Sequence, residues 1–199
     1  PGPDQFSFRI NRLVWNPKRG ENTGDWAQNP EHDDNYYSNK APGPALLAIP
    51  VYAVLYGVER LAGQDPTQPV LTYLNCYIIN LIVTVLPAAT SILFMFWLLS
   101  DIFDNRAFWP TLLCVALYFG TLLWPYSTQF WGHVTATAFL IAGLYFFRAD
   151  TPRGYVFSGL FLGLAVLSEY SVAIPLLALT GVLLYRFCRP PRAGGGRCP

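Results

Sequence analysis

Polar and apolar positions divide the chain into an opening segment and a long hydrophobic remainder. Residues 1 to 43 mix acids, bases and turn formers. Their Asn-Pro, Arg-Gly and Asn-Thr-Gly signals predict loop, and FSFRINRLVW, residues 6 to 15, has the pattern of a short amphipathic helix. Residues 44 to 63, PALLAIPVYAVLYGVERLAG, are apolar but interrupted by Pro50. Only about a dozen clean residues precede Glu59 and Arg60, where a span needs about 20. That predicts a helix lying at the membrane surface or partly inserted.

The remainder reads as five transmembrane helices. Residues 73 to 100 carry no charge and predict a span with a kink at Pro87. Residues 108 to 128 predict a second, with Trp109 and Trp124 as interface anchors. Residues 129 to 147 predict a third. The run from 156 to 187 is too long for one untilted span and short for two, and its only acid is Glu169. Basic residues decide between these readings. With alternating spans, Arg106 and the turn holding Arg148 and Arg153 fall on one side. Splitting the last run at Ser-Glu-Tyr-Ser returns Arg186, Arg189, Arg192 and Arg197 to that side. By the positive-inside rule it is cytoplasmic. The predicted fold is therefore all-α, a polytopic transmembrane helical bundle. Its last two helices form a short hairpin meeting near Glu169, and residues 188 to 199 form a cytoplasmic tail or a cut edge. Residues 64 to 73 are then extracytoplasmic. Five basic residues in the opening segment leave its side open on charge alone.

Composition agrees with a lipid environment. The chain is 53% hydrophobic and 13% charged, about half the charge of a soluble domain. The net charge of +1 says nothing about nucleic acid, and the lack of a basic, aromatic-interleaved patch points away from it. The four cysteines have neither zinc-site nor secreted-disulfide spacing. No internal repeat or pair of half-helices marks a transporter. The chain opens on Pro1, has its only methionine at Met95 and ends in RPPRAGGGRCP, so it is expected to be a fragment of a longer protein.

Three places break the apolar rule. HDDNYYSNKAPG, residues 32 to 43, packs a dense polar cluster against the hydrophobic run. Asp33 and Asp34 offer hard oxygen ligands for a divalent metal ion. Asp4, Asp25 or Asp34 can act as a general base, Lys40 can pair with a phosphate, and Tyr36 and Tyr37 can line a sugar or sit among headgroups. A hydrated surface loop accounts for the same residues. Glu169 is a carboxylate within an apolar run, where a charge is usually functional or paired. His133, one turn into a span, can orient a carboxylate or bond a lipid phosphate; a backbone carbonyl would satisfy it equally well. All three places meet on one side of the membrane if the opening segment is extracytoplasmic.

NTGDWAQ at 22 to 28, YYSNKAPG at 36 to 43 and ALLAIPVY at 45 to 52 together resemble the first extracytoplasmic loop of GT-C glycosyltransferases. The nearest branches are the protein O-mannosyltransferase-like and aminoarabinose-transferase-like ones. Pro3-Asp4-Gln5 looks like the acidic element after the first transmembrane helix. Tyr37-Ser-Asn-Lys40-Ala-Pro42 looks like the element leading into a surface helix, and residues 159 to 179 are similar to a Gly-Leu hairpin later in that fold. The chain departs from the family in having Asn39 before the lysine and Asp-Gln in place of Asp-Glu.

The resemblance implies an N-terminal fragment, with residues 1 to 43 extracytoplasmic and 44 to 63 a juxtamembrane helix. It implies a bacterial plasma-membrane enzyme that takes sugar from a polyprenyl-phosphate donor. In such an enzyme Asp4, Asp25 or Asp34 is the base, and Tyr37, Lys40, His133, Glu169 and Tyr170 bind substrate. Asp33 and Asp34 are the candidates for a metal. A membrane transporter or lipid-flipping protein, or a non-catalytic scaffold, are the rival readings.

Overall fold

The computed structural model describes residues 26–28, 36–38, 40–103 and 106–188. The chain separates into two units, Pro1–Pro42 and Gly43–Pro199. In the first, β1 (Trp26–Gln28) pairs antiparallel with β2 (Tyr36–Ser38), Ala27 opposite Tyr37. The sequence reading gave this segment as loop within an all-α fold; the strand propensity of Trp26, Tyr36 and Tyr37 favours a ribbon instead. The candidate helix at 6 to 15 lies outside the described residues.

The second unit is helical throughout its described elements. It begins with α1 (Gly43–Leu61), and Pro50 does not break it. At 19 residues, α1 is long and apolar enough to cross a membrane, about 28 Å at 1.5 Å per residue. The sequence reading preferred a surface or partly inserted position. Glu59, taken there as the polar end of the run, is buried, while the Arg60 guanidinium lies over the Tyr56 ring. In the following turn, Asp65 accepts hydrogen bonds from the Thr67 amide and hydroxyl. These bonds, the backbone one foremost, hold its carboxyl below the usual carboxylate range.

The second long element runs over Pro69–Ile102, 34 residues of which an 18-residue window reaches a mean hydropathy of 2.2, and also suffices to cross a membrane. It comprises α2 (Pro69–Asn80), a π-helical turn (Leu81–Val85) and α3 (Leu86–Ile102). Pro87 acts through this wide turn. The turn closes with the Leu86 amide on the Leu81 carbonyl, and Pro87 has no N–H to offer the next carbonyls. That of Val83 accepts from the Thr135 hydroxyl at 3.0 Å, in a buried contact.

The predicted span 108–128 is not one helix. It forms α4 (Phe108–Phe119), a break at Gly120–Leu122, and the five-residue α5 (Leu123–Ser127). Turn chemistry outweighs hydropathy here. Thr121 donates its hydroxyl to the Leu117 carbonyl and accepts from the Leu123 amide, a local bond that competes with the helix ladder. Trp124 then folds back on α4, its ring 5.1 Å from Phe119 and 5.5 Å from Tyr118, rather than standing at the end of a span.

α6 (Gly132–Arg148) is the central helix. Its buried positions are mostly small, including Thr135, Ala136, Ala138, Ala142 and Gly143, which lets neighbouring backbones come close. α3 packs on one side and α7 (Pro152–Ser168) on the other. A Cβ on Gly143 would sit 2.6 Å from the Leu162 side chain of α7, and Phe146 stacks on Phe161 with ring centroids 5.5 Å apart. Ala88, Tyr118 and Val134 form the centre of the core. At the far end of α6, Arg148 pairs with Asp101 at 3.4 Å and reaches the Leu98 carbonyl. The α3–α4 and α6–α7 turns therefore share one end of the bundle.

After α7 the chain leaves the helix at Glu169, an extended residue with φ −156° and ψ 111°. It continues as a 3-10 turn (Tyr170–Val172) and α8 (Ala173–Cys188). The break falls where the charge pattern divides the last run. Large apolar side chains face outward on several helices, such as Val54, Val70, Leu86, Leu160 and Ile174. This exterior and the two long helices point to a membrane setting.

Replacing Thr135 by Val keeps the shape but removes this donor to the Val83 carbonyl. The expected loss is about 1–3 kcal/mol, with Thr135→Ser costing less because it keeps the donor; unfolding titrations in mixed micelles compare the two.

Candidate functional site

Three backbone segments converge at one end of the bundle, and two of their contacts admit only glycine. A Cβ on Gly132, the first residue of α6, would lie 2.4 Å from the Ser168 carbonyl oxygen. One on Gly43, the first residue of α1, would lie 2.7 Å from the backbone of Leu167 and Ser168. The starts of α1 and α6 thus rest against the end of α7. The next residue, Glu169, is thereby presented to the first turn of α6.

There the His133 Nδ1 and the Glu169 Oε2 are 2.9 Å apart. The other carboxylate oxygen accepts from the Ser171 hydroxyl at 3.3 Å. A carboxylate at the start of a 17-residue helix is also favoured by the helix dipole; the residue preceding that helix, Trp131, supplies no side-chain cap. With Nδ1 donating to the carboxylate, Nε2 of a neutral imidazole is an acceptor. The His133 side chain is about half exposed. A histidine oriented this way can take or give a proton at Nε2, or hold a hydroxyl or phosphate oxygen there.

The imidazole belongs to a fan of rings. Trp131 is extended, with φ −120° and ψ 135°, and its ring lies beside that of His133 two residues on. Their planes are 16° apart at a centroid distance of 6.0 Å. Tyr126, from α5, lies 18° from the Trp131 plane at 5.6 Å and 6.2 Å from His133. The three centroids form a triangle, so the rings overlap like tiles rather than stacking in a column. Trp131 Nε1 is held by the Gln129 side chain at 2.7 Å. Half-exposed aromatic faces beside a carboxylate and an imidazole make a surface with an apolar floor and a polar edge.

Of the residues singled out in the sequence, His133 and Glu169 are brought into direct contact, and Tyr170 stands exposed beside them. Tyr37 lies in β2 and Lys40 just beyond it, both in the first unit. Asp4, Asp25, Asp33 and Asp34 lie outside the described residues. Among the described residues, no group of three or more His, Cys, Asp and Glu side chains converges as a metal site would require. Tyr126 and Ser171 were not foreseen. Ser171 had a signal, a hydroxyl two residues from an isolated acid; Tyr126 had none, because it reaches the site only through the break after α4.

Adding a methyl at Gly132 or Gly43 forces backbones apart. Gly132→Ala and Gly43→Ala are each expected to cost about 1–3 kcal/mol or more. Gly163→Ala, where a Cβ meets nothing within 4 Å, should be neutral or stabilising by up to about 1 kcal/mol. Denaturant midpoints of the three variants test the contrast.

Comparison with protein-family models, with curated proteins and with solved structures gives no match in any of the three.

Proposed function

We propose that the chain is part of a membrane-embedded glycosyltransferase of the GT-C kind, which moves a sugar from a polyprenyl phosphate to an extracytoplasmic acceptor. The observation that carries this reading is the His133–Glu169 pair set beside the fan of Tyr126, Trp131 and His133. A sugar ring has an apolar face and a rim of hydroxyls. The ring fan suits the face, and the carboxylate and imidazole suit the hydroxyls. The Tyr37–Lys40–Pro42 element adds a cation for the donor's phosphate.

In this proposal the protein is a polytopic bundle of the bacterial plasma membrane, with residues 1 to 43 and the end of the bundle bearing Glu169 extracytoplasmic. The acceptor hydroxyl attacks the anomeric carbon and the bond from that carbon to the phosphate oxygen breaks, with inversion. A carboxylate takes the hydroxyl proton, Asp4 in the first place, otherwise Asp25 or Asp34. The polyprenyl phosphate leaves as a dianion and Lys40 stabilises the charge developing on it. Asp33 and Asp34 would hold a divalent ion, which would supply further positive charge.

Membranes containing the protein and supplied with radiolabelled polyprenyl-phosphate sugars should pass label to an acceptor. Lys40→Ala should abolish this, and Asn at the true base should slow it by about 10²–10⁴-fold. Glu169→Gln is expected to raise the donor or acceptor concentration needed. Full transfer with Asn at each of Asp4, Asp25 and Asp34 would sink the mechanism. An absence of turnover across several sugars, with folded protein, would favour transport or a scaffold.

A further inference from the structure

We propose that Glu169 is the clasp of a hinge that sets the direction of α8. The hinge follows from the backbone. α7 ends at Ser168, Glu169 is extended, and a three-residue 3-10 turn leads into α8. Among the described residues, α8 packs on that turn more than on any other element. None of its described side chains is buried, and Ile174 and Leu177 are 72% and 71% exposed. Over its described residues α8 is therefore held chiefly through the turn that precedes it.

One carboxylate ties that turn to the rest of the bundle. Its Oε2 holds His133 at 2.9 Å, and its Oε1 holds the Ser171 hydroxyl inside the turn at 3.3 Å. The backbone of His133 is held on both sides. It stands two residues before Thr135, which is pinned to the Val83 carbonyl, and one after Gly132, which is wedged against Ser168. The chain of contacts therefore runs from the long helix through α6 to Glu169 and on to the 3-10 turn. A ligand hydroxyl or ammonium that competes for this carboxylate loosens α8, so occupation of the site and the angle of α8 are coupled. The hinge rests on the geometry alone and does not require the ligand to be a sugar.

The test is a distance distribution between spin labels at Leu160→Cys on α7 and Leu177→Cys on α8. It uses the full chain in lipid nanodiscs, with Cys76, Cys114, Cys188 and Cys198 replaced by Ser or Ala. The parent should show one narrow population. Glu169→Ala and His133→Ala should each add a second population of about 10% or more of the molecules. Glu169→Gln and His133→Gln, which keep an acceptor and a donor respectively, should restore the single population. Unchanged distributions in both alanine variants would overturn the proposal. So would a change in Glu169→Ala alone, because the carboxylate would then act only within the turn. If Glu169→Ala does not fold, the two His133 variants decide the question by themselves.

Discussion

A hydroxyl-to-carbonyl bond between two helices, made where a proline disturbs one of them, organises this molecule. Pro87 withholds an amide from the widened turn at Leu81–Val85. Thr135 supplies a donor there from a different helix. A local defect in one element thereby becomes a fixed bond between two. The position of α6 along the long helix is set by a directional contact rather than by greasy packing, which alone would allow sliding.

From that bond the site follows. The residues of α6 after Thr135 are mostly small where they are buried, so α7 can approach until Leu162 lies over Gly143. The same approach brings Ser168 onto Gly132. Once α7 lies that close, its end cannot miss the start of α6, and Glu169 meets His133. The polar pair is thus a by-product of apolar close packing two turns away. It gains hydrogen bonds without the chain having to order a separate loop.

The sequence disclosed the parts of this arrangement that follow from charge and failed where local turn chemistry decides. A single acid in an apolar run, with arginines to be kept on one side, was enough to place the break at Glu169. His133 beside Trp131 was visible as a polar interruption, and its convergence with Glu169 followed from counting spans. The span at 108–128 misled because hydropathy counts Gly120 and Thr121 as compatible with a helix, whereas the Thr121 hydroxyl captures the Leu123 amide. Pro87 was legible as a disturbance; that it would widen a turn and recruit Thr135 depends on a helix 48 residues further along the chain. The β1–β2 pairing of six residues was hidden within a segment that reads as turns. Tyr126 could not be foreseen, since its place depends on the very break that was missed.

The shortness of α4 has its own consequence. Twelve residues make a rod of about 18 Å, against a hydrocarbon layer of about 30 Å. A bilayer in contact with such a rod has to pinch inward or draw headgroups down along it. The chain that continues from α4 through α5 leads straight to Tyr126 and Trp131. Beside this stretch the leaflet would dip, bringing its headgroups and water down toward the aromatic fan.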